Sequence, residues 1–202
     1  MKRLCAPLLL TALALGAAAA APAATVWDES VNPDFSGNYA APTALTFSLG
    51  SNLIFGSTGN PGAGTDRDYF SFVVPQGTIL TSLILLDGTF VSGGVSFLGL
   101  QVGPQFTKSA EEIQAGDLLG FLHYGTDLIG QDLLPLIDGP FTGLPSGVYT
   151  AWVQDTGGGT AGYGFDFQLA AAPVPLPGAV WLLASGALGL GALRRRRVTA
   201  AA

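Results

Sequence analysis

The residues able to do chemistry in this 202-residue chain are few, and most are carboxylates. The stretch NPGAGTDRDYF places Asp66 and Asp68 just after a Gly-rich turn. Carboxylates alternating at a turn suit a hard cation such as calcium, which takes six to eight oxygen ligands. Two ligands do not complete that shell. The EF-hand pattern also fails, because no third acid, loop Gly and distal Glu follow at its offsets. Asp127, Asp132 and Asp138 would add ligands only if the fold brought them close. Turn Asp residues also bond nearby backbone N–H groups, so a calcium reading and a turn-capping reading both stand for Asp66 and Asp68.

Other chemistry lacks parts. His123 is the one histidine and lies in the apolar stretch LLGFLHY. A general base or ligand there would need partners, and without a second His or a mature Cys, neither a zinc site nor a Ser-His-Asp triad can be assembled. Glu111 and Glu112 are adjacent and diverge, so they do not form the facing pair that glycoside hydrolysis requires. The chain therefore reads as a non-enzyme with no catalytic residues and no required cofactor.

Three segments must carry these residues. The start, MKRLCAPLLLTALALGAAAAAPAA, has Lys2 and Arg3, an apolar core from Leu8 to Leu15, and an A-x-A site at Ala21 and Ala23. This is the layout of a secretory signal peptide over residues 1–23, with cleavage before Ala24. The cleavage would remove Cys5, the only cysteine, leaving no disulfide and no thiolate. The body, residues 24–172, has the size of one domain. Its two bases, Arg67 and Lys108, face all 14 acidic residues of the chain. Such an acidic body is repelled by nucleic acid and by anionic membranes, and its charge keeps an apolar β domain dispersed.

Abundant Gly, sparse charge and short apolar runs between turns predict an all-β sandwich, of jelly-roll type. Strands are expected at Thr43–Leu49, Asn52–Phe55, Asp68–Val74, Ile79–Leu86, Val95–Val102, Leu118–Tyr124, Val148–Asp155 and Tyr163–Leu169. In YGFDFQL, Tyr163, Phe165, Phe167 and Leu169 alternate with polar residues, as in a half-buried strand. The Gly-rich TGGGTAG before it predicts a hairpin with VYTAWVQD. Trp152 reads as packing, with sugar stacking as the alternative. SAEEIQAG predicts one helical turn, boxed by Ser109 and Glu112.

The third segment, residues 173–202, holds Val174, Pro175, Leu176 and Pro177, an apolar run over 178–193 containing Trp181, and Arg194, Arg195, Arg196 and Arg197. As a helix the run would be about 24 Å long, a short membrane span. The arginines would then hold the C-terminus in the cytoplasm and the body outside.

The order of proline motif, apolar run with early Trp181 and terminal Arg194–Arg197 resembles the PEP-CTERM sorting signal of exported bacterial proteins. Leu176 stands where the family's usual motif has Glu. The resemblance implies passage through the secretion translocon, a transient inner-membrane tether with the body in the periplasm, and tail removal by an exosortase-type processing enzyme. It further implies a cell-surface or extracellular destination, alongside exopolysaccharide. The body, through SLGSNLIFGSTGN, TDRDYFSFVVPQGT and LPSGVYTAWVQDTGGGTAGYGFDF, also resembles the β-sandwiches of such proteins and, more loosely, bacterial pre-peptidase C-terminal domains. The leading expectation is a structural or adhesive matrix component. The alternative is a carbohydrate- or calcium-binding module that stays anchored.

Overall fold

The computed structural model describes residues 22–173, apart from 61, 63, 140 and 156. The signal peptide's core, Cys5, Ala21 and the sorting segment from Val174 to Arg197 lie outside the described residues, while Ala23 is exposed just before the first strand. Among the described residues, no helix is long and apolar enough to cross a membrane. The chain divides into units Met1–Ala170 and Ala171–Ala202, and the strands described below lie in the first save for a final residue.

Among the described residues, eight strands form the body: β1 Ala24–Asp28, β2 Thr43–Thr46, β3 Gly50–Gly59, β4 Arg67–Leu85, β5 Ser96–Val102, β6 Gly120–Tyr124, β7 Leu144–Gln154 and β8 Thr160–Ala171. Their order is β1-β3-β8-β4-β7-β5-β6, with β2 beside β4. The described part of the chain is thus all-β. β1 and β2 run parallel to β3 and β4, whereas the strands of a jelly roll are antiparallel.

Two expected strands, Asp68–Val74 and Ile79–Leu86, are one long β4. Its pairing with β7 shifts register between Val74 and Ile79. Pro75 lacks an N–H for the ladder, Gly77 adopts φ +75°, and Thr78 Oγ1 donates to the Pro75 carbonyl at 2.7 Å. Those features bend the strand without ending it. The first half of β4 pairs with β2 and β7; the second half keeps β7 at Ile79 and Leu80 and then meets β8. There the Thr81 hydroxyl donates to the Gln168 carbonyl at 3.0 Å and, just past the strand, the Leu86 N–H donates to the Gly164 carbonyl at 2.8 Å. β4 therefore passes from one face of a sandwich-like arrangement to the other.

Phe70 and Phe72 of β4, Leu98 and Leu100 of β5, and Ala151 and Val153 of β7 line one inner face; Ile54 of β3 and Phe165 and Phe167 of β8 line the other. Phe167 is the meeting point, with ring centroids 5.0 Å from Phe47 and 5.1 Å from Phe72. The apolar face read in YGFDFQL is buried at Tyr163, Phe165, Phe167 and Leu169, but the strand is not half-buried as expected. Asp166 on the opposite face is buried as well, accepting from the Ser51 hydroxyl at 2.6 Å and the Asn52 N–H at 3.1 Å. Each such apolar side chain stabilises the fold by about 1.5–3 kcal/mol through burial.

The hairpin expected between β7 and β8 does not form, because β4 lies between them in the sheet. The Gly-rich connection crosses between the layers instead. Asp155 anchors it, accepting from the Gly157 N–H at 2.7 Å, the Ser92 N–H at 3.0 Å and the Ser96 hydroxyl at 2.7 Å. The turn after Ser109 is present, with the Ile113 N–H donating to the Ser109 carbonyl at 2.9 Å. The side-chain cap lies one turn on, where Asp117 Oδ2 accepts from the Gln114 N–H at 2.9 Å.

Candidate functional site

The segment before β2 builds the site. Three acids, Asp28, Glu29 and Asp34, fall within the seven residues DESVNPD. Asp28 is used locally, its Oδ1 accepting from the Ser30 N–H at 2.9 Å. The Ser30 side chain first, and then this N–H bond, lower its pKa. Glu29 turns inward: Oε1 accepts from the Phe35 N–H at 2.8 Å and Oε2 from the Ser57 N–H at 2.6 Å. Phe35 is buried, stacked on Trp27 at 5.3 Å and tilted against Phe70 at 5.0 Å. This aromatic anchor pins the loop so that its carboxylates meet the start of β4. The Tyr69 N–H donates to the Ser36 carbonyl at 2.9 Å and fixes the other end.

There, oxygens of Glu29, Asp34 and Asp68 lie within 4.8 Å of one another. Asp34 is exposed, Glu29 half-buried, and Asp68 has no exposed surface. Asp68 Oδ2 accepts from the Tyr163 hydroxyl at 2.7 Å, whereas Oδ1 is buried with no hydrogen-bond partner. Thr58 Oγ1, on an inner-facing position of β3, is likewise buried without a partner.

Burial, then the charges of Glu29, Asp66 and Asp34, push Asp68 up to about 9 against the opposing Tyr163 bond. Burial first, and the nearby Asp34 as well, raise Glu29 to about 7 despite two backbone N–H donors. Tyr163 is held well above its ordinary value by burial and by the Asp68 charge, so it stays the donor. Negative charge is thus crowded at one spot and partly neutralised by protons. One ion with bonds of about 2.3–2.6 Å spans oxygens up to about 5 Å apart, so a calcium-sized cation fits the spacing. An open depression of about 340 Å³, lined by Glu29, Ser57, Phe55 and Phe90, adjoins Glu29.

Of the two calcium candidates, the structure places Asp68 in the cluster and Asp66 beside it. Asp66 is raised by burial and by the Asp34 charge, and its N–H donates to the Gly59 carbonyl at 2.7 Å in the β3–β4 connection. Asp132 is committed elsewhere, accepting from the Leu83 and Leu134 N–H groups at 2.9 and 3.1 Å. Asp127 and Asp138 are outside the cluster as well. Glu29 and Asp34 were missed, although three acids ahead of an aromatic Phe35 were a signal. Glu111 pairs with Arg67 at 2.8 Å, and Lys108 with Asp117 at 2.7 Å. His123 is exposed on β6, edge-on to Phe97 at 5.4 Å. Trp152 is buried against Tyr69, Phe106 and Phe97, which agrees with packing.

No family model and no curated protein matches the chain. Among solved structures, it is similar to the pre-peptidase C-terminal domain of collagenase from Bacillus anthracis. The identity is 17% and the TM-score 0.34, over 63% of this chain and 94% of that one. At that score the likeness carries no argument, and the site stands on its own geometry.

Proposed function

We propose that the body is a non-enzymatic, calcium-binding β-sandwich module of an exported protein. The observation that carries this is Asp68 Oδ1, buried and without a partner on a carboxylate that clusters with those of Glu29 and Asp34. A buried unpaired carboxylate oxygen is costly, and a cation relieves the cost. Backbone carbonyls or water would complete the six to eight oxygens. Binding is favoured over turnover because Asp68 has no exposed surface. A sugar ring cannot reach it, so Glu29 and Asp68 do not work as a hydrolytic pair, whereas an ion needs only a narrow path.

Around the module, the two terminal segments support export, an inner-membrane tether and exosortase-type processing at Val174–Pro177. The mature protein then acts as a structural or adhesive component of the cell surface or the exopolysaccharide matrix. The alternative, a module that stays anchored, differs only in the fate of the tail. Calorimetric titration with calcium tests the site. Saturable heat that disappears in Asp68→Asn is expected, and no heat in the native chain would overturn the reading. Intact mass from the producing cell tests the sorting: a chain ending near Pro175 outside the inner membrane supports it, and one retaining Arg194–Arg197 only in membranes means a plain anchor.

A further inference from the structure

The outer face of β5, β6 and β7 carries a second set of side chains, built independently of the carboxylates. The register sets Phe97 opposite His123 and Gln154, and Gly99 opposite Phe121 and Trp152. Gly99 has no Cβ, so the Phe97 ring lies over it; a Cβ there would come within 2.9 Å of Phe97 Cε1. Phe97 and Phe121 have centroids 6.1 Å apart with planes 23° from parallel, and Phe97 leans on Trp152 at 4.6 Å. Both phenylalanines remain partly exposed.

Two open depressions share Phe97 and Trp152. One, of about 280 Å³, is bordered by Ser96, His123 and Gln154; the other, of about 170 Å³, by Ile113, Gln114 and Phe121. Neither is lined by any Asp, Glu, Lys or Arg, on a body that holds 14 acids. The polar groups present are neutral or weakly basic donors. Gln154 Oε1 already accepts from Arg67 Nε at 3.0 Å, which leaves its NH₂ as the donor end.

These features narrow the ligand. A charged ligand would meet no counter-charge in the lining. A purely apolar one would leave the Gln154 amide and the His123 imidazole unpaired against hydrocarbon, which is costly. A neutral sugar satisfies both demands. Its C–H face lies against an aromatic ring, and its hydroxyls accept from N–H donors at the rim. Two open depressions joined at one aromatic pair suit successive units of a chain better than a single enclosed small molecule.

We propose that this groove binds a neutral glycan chain, with Phe97 and Phe121 as stacking surfaces and Gln154 and His123 as polar contacts. The site does not depend on the carboxylate cluster. The test is calorimetry and tryptophan fluorescence of the full chain with a panel of neutral polysaccharides (a β-glucan, a mannan, a xyloglucan) and with alginate as a charged control. At least one neutral glycan binds, alginate does not, and Phe121→Ala and Phe97→Ala each weaken binding tenfold or more. Far-UV circular dichroism checks that both variants fold. His123→Ala, at an exposed position, weakens binding several-fold without touching the core. Asp68→Asn binds the glycan as the native chain does, which separates this site from calcium binding. Failure of every neutral glycan overturns the proposal, as does glycan binding that survives both phenylalanine substitutions.

Discussion

The Tyr163 hydroxyl reaches across Gly56 to donate to Asp68 Oδ2 at 2.7 Å, tying the last strand to the first half of β4 through the core. Gly56 is required because a Cβ there would overlap the Tyr163 ring and hydroxyl. The bond satisfies one Asp68 oxygen and leaves the other as the unpaired acceptor of the cluster.

Tyr163→Phe removes the donor while keeping the ring. Both Asp68 oxygens then lie buried without a partner, at a cost of about 1–3 kcal/mol. Urea unfolding in calcium-free buffer measures this, and excess calcium recovers part of the loss. Gly56→Ala destabilises by about 1–3 kcal/mol through overpacking and displaces the hydroxyl. Its calcium affinity falls with its stability.

Stability depends on pH through the same cluster. Glu29 and Asp68 bind protons more tightly folded than unfolded, so their contribution is complete below their ordinary values of 4.5 and 3.8. It is lost as pH rises through about 7 for Glu29 and about 9 for Asp68. The calcium-free chain therefore melts at progressively lower temperature from mildly acidic to alkaline pH. Calcium acts on the deprotonated form, so its stabilisation grows over the same range. Melting curves in chelator and in calcium, taken across pH, check both slopes.

Asp68→Asn removes the buried charge and keeps an oxygen for Tyr163. Its calcium-free form is at least as stable as the native chain, and its pH dependence is flatter. The calcium-induced rise in melting temperature disappears. A native-size calcium shift in this variant would place the ion elsewhere.

Phe167→Ala, at the contact between the two layers, costs about 3–5 kcal/mol. It separates Phe47, Phe70 and Phe72 from β8 at once. Gly157→Ala tests the crossing loop, where a Cβ would overlap the Gly93 backbone. A loss of about 1–3 kcal/mol is expected. Chemical denaturation of both variants gives the values, and a neutral Gly157→Ala would mean the loop has room to move.

The sequence by itself determined the all-β body, most strand positions and the inner face of β8, because alternation along a strand is a local property with a period of two residues. It also determined the distribution of charge and marked Asp68, since residue type and turn chemistry are local as well. Only the tertiary structure decided the partners. Glu29 and Asp34 reach Asp68 because β1 lies parallel to β3 and Phe35 draws the following loop into the core. A parallel pairing leaves no turn signature between its strands. The fate of the Gly-rich connection was also decided there. A run of glycines permits a hairpin or a crossing equally, and the choice rests on which strand edges are free. Those of β7 are taken by β4 and β5, so β8 joins the other layer.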